Sequence, residues 1–202
     1  MKKLLLVLLT LTYLSCTAQD NYVKPDLRTS VEIKNQIFHV WYSETKEQPL
    51  VLIYKSSNRP KNVDRGSMNF YTEDDYHTSD NADYYRNVWD KGHLAPAATF
   101  SDSKENLKQT FSYLNCALQN QYLNRGAWRL LEEQERKWDD TQELVIKIDI
   151  KFSNSILPTG ATLPLRFIKH VKFTKDNIYK CYDFPNERPT KDWEEYQVIH
   201  AH

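Results

Sequence analysis

The sequence predicts an α+β fold. Short segments that alternate apolar and polar residues are interspersed with one long helical stripe, without the regular strand–helix–strand rhythm of a parallel sheet. Gln36 to Tyr42 alternates, with Ile37, His39 and Trp41 on one face and Phe38, Val40 and Tyr42 on the other. Leu50 to Tyr54 is a short apolar run. Both read as strands. Ser56 to Asp83 is polar and turn-rich and reads as a long loop, a feature that in a compact domain is usually either functional or disordered. Tyr84 to Trp89 and Phe111 to Cys116 read as further strands. Between them, Ser101 or Ser103 can cap a short helix from Lys104 to Gln109. Tyr122 to Trp138 is the main helix, with Leu123, Ala127, Leu130, Leu131 and Trp138 on its apolar side. Leu144 to Phe152, Leu165 to Phe173 and Tyr179 to Tyr182 complete the strands.

The length of 202 residues suits one domain with a real core. Charged residues make up 27% and apolar residues 40%, the balance of a soluble globular protein. Lys and Arg total 27 and so do Asp and Glu, giving zero formal charge. Any binding of nucleic acid must therefore come from a local patch and be sensitive to salt. Lys2 and Lys3 followed by the apolar run Leu4 to Leu14 form a leader too short to span a bilayer. Residues 1–18 read as a signal peptide, 19–35 as a polar lead-in and 36–202 as the functional domain. Cleavage after Ala18 would release a secreted or periplasmic protein. Processing before Cys16 would leave a lipid-anchored one, and Leu14-Ser15-Cys16 keeps that alternative open. Outside the cytosol, Cys116 and Cys181 can pair or remain two buried thiols.

Two constellations could carry chemistry. His93 follows Gly92 and precedes Leu94-Ala95-Pro96-Ala97-Ala98, which places it at a strand end or turn. Its ordinary pKa near neutrality suits a general base, although a lone histidine is usually a satisfied structural residue. Asn124, Trp128, Glu132 and Arg136 are spaced by four and would share a helix face. Spacing alone reads this stripe as a solvated face with a Glu132–Arg136 ion pair. The sequence has no zinc-ligand spacing, nucleophile elbow, phosphate-binding loop or dinucleotide fingerprint.

The segment Asp90-Lys91-Gly92-His93-Leu94-Ala95-Pro96-Ala97-Ala98 resembles the signature of the DNA/RNA non-specific endonuclease family, whose usual form is Asp-Arg-Gly-His before small residues. Asn115-Cys116-Ala117-Leu118-Gln119 is similar to that family's Asn-x-x-Pro-Gln segment, and Leu123 to Arg136 to its metal-bearing helix. Leu163 to Lys169 is similar to a late strand. The resemblance implies a ββα-metal (His-Me finger) fold around a mostly antiparallel sheet. It further implies metal-dependent hydrolysis of DNA and RNA phosphodiesters with little sequence preference. His93 would be the general base and Asn124 the direct ligand of Mg²⁺, or of another divalent cation such as Mn²⁺. Glu132 would hold water around the ion, and Arg136 would face phosphate or fix Glu132. Asn115 would orient the site, while Lys91 and Arg65 would grip phosphate. No membrane span is implied. Dimers occur in the family, and the sequence leaves the oligomeric state open. Lys91 stands where Arg is usual and loses its planar fork, and Leu118 stands where Pro is usual. Those departures and the zero net charge support an alternative, a secreted nucleic-acid-binding module of the same fold with weak or no catalysis.

Overall fold

A computed structural model describes residues 27–198. The leader, the start of the lead-in, His200 and His202 lie outside the described residues. The frame is a seven-stranded antiparallel sheet in the order β1-β2-β3-β6-β7-β8-β9. Its strands are β1 (Val31–Lys34), β2 (Phe38–Ser43), β3 (Gln48–Ser56), β6 (Leu144–Ile156), β7 (Thr162–Phe173), β8 (Tyr179–Pro185) and β9 (Gln197–Val198). A separate two-stranded ribbon pairs β4 (Trp89–His93) with β5 (Cys116–Asn120). Alternation decides which side of the sheet is buried. Phe38, Val40 and Tyr42 face the core from β2, as do Ile146, Ile148 and Ile150 from β6 and Phe167 and Val171 from β7.

Helix α1 (Lys104–Thr110) is capped by Ser103, whose hydroxyl accepts from the Asn106 N–H at 3.1 Å. The predicted helix from Tyr122 to Trp138 is not continuous. A short turn, α2 (Gln121–Leu123), is followed by a wide π-helical segment over Asn124–Trp128 and then by α3 (Arg129–Asp139). Gly126 breaks the helical path, with φ −108° and ψ −113°. The four-residue stripe therefore does not run unbroken from Asn124 to Glu132, and no Glu132–Arg136 ion pair forms among the described residues. Such wide turns are common at functional sites because they re-aim side chains that a regular helix would align.

Other expectations are corrected at their edges. Residues 82–84 form a single 3₁₀ turn, and the strand predicted over Tyr84 to Trp89 begins at Trp89 instead. Asn87 and Asp83 divert the intervening backbone into side-chain bonds: Asn87 Oδ1 accepts from Trp89 N–H, and Asn87 Nδ2 donates to the Asp83 carbonyl. The strand predicted over Phe111 to Cys116 is a 3₁₀ turn over Tyr113–Asn115, with strand pairing starting at Cys116. Ser112 caps that turn through the Leu114 N–H. The lead-in predicted as loose includes β1, which pairs with β2. Cys116 and Cys181 are both buried, and neither is in a disulfide.

Helix α3 docks on the sheet through polar contacts buried within the core. Its Leu131, Glu135 and Asp139 face inward. Tyr54 of β3 donates to Glu135 Oε2 at 2.8 Å, and Ser56 of β3 donates to Asp139. Lys169 of β7, fully buried between Phe167 and Val171 on the same strand face, pairs with Glu135 Oε1 at 3.0 Å. Its ammonium lies 4.1 Å from the centre of the buried Trp128 ring.

Candidate active site

The β4–β5 ribbon carries the first half of the site. His93 is the last residue of β4, at a strand end as its neighbours require. Its ring lies 4.7 Å from Phe70 and 5.0 Å from Phe111, centre to centre. Nε2 is buried and has no hydrogen-bond partner among the described residues. Burial in this aromatic slot, reinforced by the nearby Arg65 charge, pushes the imidazole pKa down to about 3. The ring is therefore neutral at physiological pH and able to accept a proton. A substrate phosphate would oppose Arg65 and raise that basicity.

The turn after His93 is held by Asn115. Its side chain, fully buried, accepts from the Ala95 N–H at 2.7 Å and donates to the carbonyls of Ala95 and Thr110, each at 2.9 Å. Its carbonyl accepts from the Leu94 N–H at 3.0 Å. Asn115 thus bonds to Leu94 and Ala95, the two residues directly after His93. Gly92 is needed for close approach. A Cβ there would meet Gln119 Oε1 at 2.4 Å and Gln119 Cβ at 2.6 Å. Gln119 is buried, so it has little room to retreat. Gly92→Ala is expected to lower stability by about 1–3 kcal/mol through overpacking. A denaturant midpoint equal to wild type, with an unchanged slope, would contradict this packing.

A cleft of ≈ 430 Å³ opens beside His93 and collects Arg65, Lys91, Asn124 and Arg125 from separate segments. Arg65 comes from the long loop, its guanidinium 4.8 Å from the Phe111 ring centre. That loop is tied to the body by an isolated bridge between Tyr71 and Ser112, so the length of the loop does not leave Arg65 unsupported. Lys91 is seated between three rings, at 5.8 Å from Phe70, 5.8 Å from Tyr84 and 5.5 Å from Tyr113, and it donates to Asn81 Oδ1. Tyr113 donates to the same oxygen at 3.0 Å. A compact ammonium suits this seat, which accounts physically for lysine in place of the usual arginine.

Asp90 organises the cation side. It accepts from Asn124 Nδ2 at 2.9 Å, and from Arg125 through Nε at 2.8 Å and a terminal nitrogen at 2.6 Å. An ionised carboxylate only accepts, so the Asn124 amide nitrogen faces Asp90 and its oxygen is turned away. That oxygen is a hard donor of the kind Mg²⁺ takes together with several waters. The residues present therefore fit a divalent ion held at Asn124 with its orientation set by Asp90. Among the described residues no three His, Cys, Asp or Glu side chains cluster where they could hold a metal ion.

Arg65, Lys91, His93 and Asn124 thus share one cleft, while Glu132 and Arg136 are not among its lining residues. Glu132 lies on α3, where burial raises its carboxyl to about pH 7 against the opposing charges of Lys169 and Arg136. Phe70, Phe111, Asp90 and Arg125 were not picked out from the sequence. Asp90 stood inside the quoted motif, and Phe70 directly follows Asn69 in the long loop. Their roles depend on which segments meet. Leu118, where proline is usual in the resembled segment, donates its N–H to Gln48 Oε1 at 3.0 Å, a bond that proline could not make.

Comparison with known proteins gives the same fold and family. Residues 21–200 match the family model described as DNA/RNA non-specific endonuclease. The chain is 38% identical over 84 residues to mitochondrial endonuclease G of Bos taurus, covering 40% of this chain and 28% of that protein. It is 40% identical over 76 residues to the Homo sapiens protein, covering 36% of this chain and 26% of that one. A mitochondrial EXOG nuclease of Danio rerio is 38% identical over 55 residues, covering 27% of this chain and 16% of that protein. The matched stretch spans less than a third of the length of these curated relatives. A chain in a crystal structure of the EndoG/EndoGI complex superposes with a TM-score of 0.73 at 21% identity, over 83% of this chain and 80% of that chain. With residues 21–200 matched, the chain belongs to the DNA/RNA non-specific endonuclease family.

Proposed function

We propose that the protein is a metal-dependent endonuclease that hydrolyses phosphodiester bonds of DNA and RNA with little sequence preference. The observation that carries this reading is the shared cleft, in which an unpartnered neutral His93 stands with Asn124 and the cations Arg65 and Lys91. Family membership and the names of its relatives support the same chemistry. His93 takes a proton from water as that water attacks phosphorus in line; the P–O3′ bond breaks, and the departing O3′ takes a proton from solvent, leaving a 5′-phosphate and a 3′-hydroxyl. Arg65 and Lys91 bind the non-bridging oxygens, which gather charge as the new bond forms. Asn124 would hold the divalent ion, with Asp90 fixing the amide. When bound, that ion supplies Lewis-acid stabilisation of the phosphoryl oxygens and the leaving oxygen. Glu132 would hold water around the ion, and Asn115 fixes the turn that follows His93. Contacts to phosphate and sugar carry no base information, which accounts for weak sequence preference.

The leader over residues 1–18 supports export, either as a secreted or periplasmic protein or anchored through Cys16. Among the described residues no helix is long and apolar enough to cross a membrane. The relatives named above are mitochondrial, so localisation rests on the leader alone.

Incubating the purified protein with supercoiled plasmid and with RNA tests the activity. Nicked and linear plasmid and degraded RNA are expected with Mg²⁺, and neither with EDTA. Binding without cutting in both Mg²⁺ and Mn²⁺ would overturn the enzyme and favour the non-catalytic module.

A further inference from the structure

A second groove adjoins the cleft. Its volume is ≈ 280 Å³, and it is lined by Tyr122, Leu130, Arg188 and Trp193, among others. The two cavities share a wall. Asn124 and Arg125 line the cleft, while the next residues, Gly126 and Ala127, line the groove. Consecutive Cα atoms are about 3.8 Å apart, so the two linings meet within the π-helical segment, close enough for one strand to reach both. The break at Gly126 falls at this boundary, between the residues that line the cleft and those that line the groove.

The groove combines exposed aromatic surface with cations. Tyr122 is 49% exposed and Leu130 39% exposed. The Arg188 guanidinium lies over the Tyr122 ring, 4.6 Å from its centre. Arg188 has no hydrogen-bond or ion-pair partner among the described residues, so its donor edges are unspent. Lys191 adds a second cation, anchored by its bond to the Glu195 carbonyl at 2.8 Å and packed 4.5 Å from the Tyr196 ring. Asp192 also lines the groove and offsets one of the two charges. Trp193 gives the wall rigidity, with its ring 6.2 Å from Trp138 and 5.9 Å from Tyr182. An aromatic platform beside an uncommitted arginine has the chemistry of single-stranded nucleic-acid binding, where bases stack and phosphates are gripped. On a chain with no net charge, continuity with Arg125 makes this the natural extension of the basic cleft.

We propose that this groove is a second substrate subsite, taking an unpaired nucleotide of the strand whose scissile phosphate lies in the main cleft. The base packs against Tyr122 and Trp193, and Arg188 binds the adjoining phosphate. The proposal rests on the nuclease reading above and adds a preference for single-stranded segments.

The test measures binding by fluorescence anisotropy in EDTA, using a single strand of about 12 nucleotides and a dinucleotide. Tyr122→Ala and Arg188→Ala are each expected to weaken binding of the longer strand about tenfold, with a smaller loss on the dinucleotide. Tyr122→Phe, which keeps the stacking face, is expected to retain most of the affinity. Arg129→Ala, on an exposed face outside the groove, is the control and should bind as wild type. Equal affinity for the longer strand in wild type and both alanine variants would overturn the subsite. So would equal losses on long and short ligands, or a Tyr122→Phe loss as large as that of alanine, or a wild type that binds no single strand. A wild type that shows the expected binding pattern but cuts nothing with any divalent cation would overturn the nuclease reading and leave the subsite standing.

Discussion

His93→Ala is expected to lower kcat about 10²–10⁴-fold, the usual contribution of a positioned base, with little change in KM. The rings of Phe70 and Phe111 and the charge of Arg65 keep the imidazole unprotonated, so the proton-accepting form is already present before substrate arrives. The same environment makes a pH prediction. The folded pKa of about 3 lies below the ordinary value of 6.5. Between those values the unfolded chain binds a proton that the folded chain does not. His93 therefore costs stability as pH falls from 6.5 toward 3, by up to about 1.4 kcal/mol per pH unit. In His93→Ala that dependence is removed, so the stability difference between variant and wild type should change steadily across this window. Denaturant unfolding of both proteins at pH 7 and pH 5 checks it, and a pH-independent difference would contradict the buried neutral imidazole.

Lys169→Met is expected to destabilise the protein by about 3–5 kcal/mol, because it strips the partner from a carboxylate buried in the core. Glu135 is 1% exposed and would keep only the Tyr54 hydroxyl. For a chain of this size the loss corresponds to a Tm drop on the order of 10 °C. The double variant Lys169→Met with Glu135→Leu should recover most of the loss, since a packed apolar pair can replace a buried ion pair at little cost. Failure of the double variant to recover would show that the pair is needed for more than charge balance. Lys169 also acts on Glu132, whose carboxyl burial raises to about 7 and Lys169 lowers. A folded value above the usual 4.5 means that Glu132 contributes stability below pH 4.5 that is lost as pH rises through 7. Under the proposed mechanism Glu132 works ionised, so activity should climb through pH 7. Removing the Lys169 charge raises Glu132 further and should move that limb to higher pH.

The elements legible in the sequence were those with a local physical cause. Alternation marked β2 and β6, an apolar run marked β3, and Ser103, one of two candidate caps, marked the start of α1; β7 and β8 were also read as strands. The strand-end position of His93 was legible from Gly92 before it and Pro96 after it; its grouping with Arg65, Lys91 and Asn124 came from the resemblance, and all four line one cleft. What could not be read depended on distant segments. Phe70 and Phe111 form the histidine slot only because Tyr71 bridges to Ser112. Lys169 sits in a strand pattern where alternation alone calls for an apolar residue, and its partner Glu135 is supplied by another element. The break at Gly126 was hidden because the apolar positions on both sides continue a helical period, although the backbone does not. Lys91 looked like a weakened arginine until its three-ring seat was visible.

The most direct test of the central claim is plasmid cleavage by His93→Ala in Mg²⁺, with and without added imidazole. A soluble base can enter the slot that the side chain leaves and take the proton from water. Cutting should be nearly absent without imidazole and should return in proportion to its neutral form. Cleavage by His93→Ala at the wild-type rate without imidazole would contradict the account, because the proton would then have another acceptor.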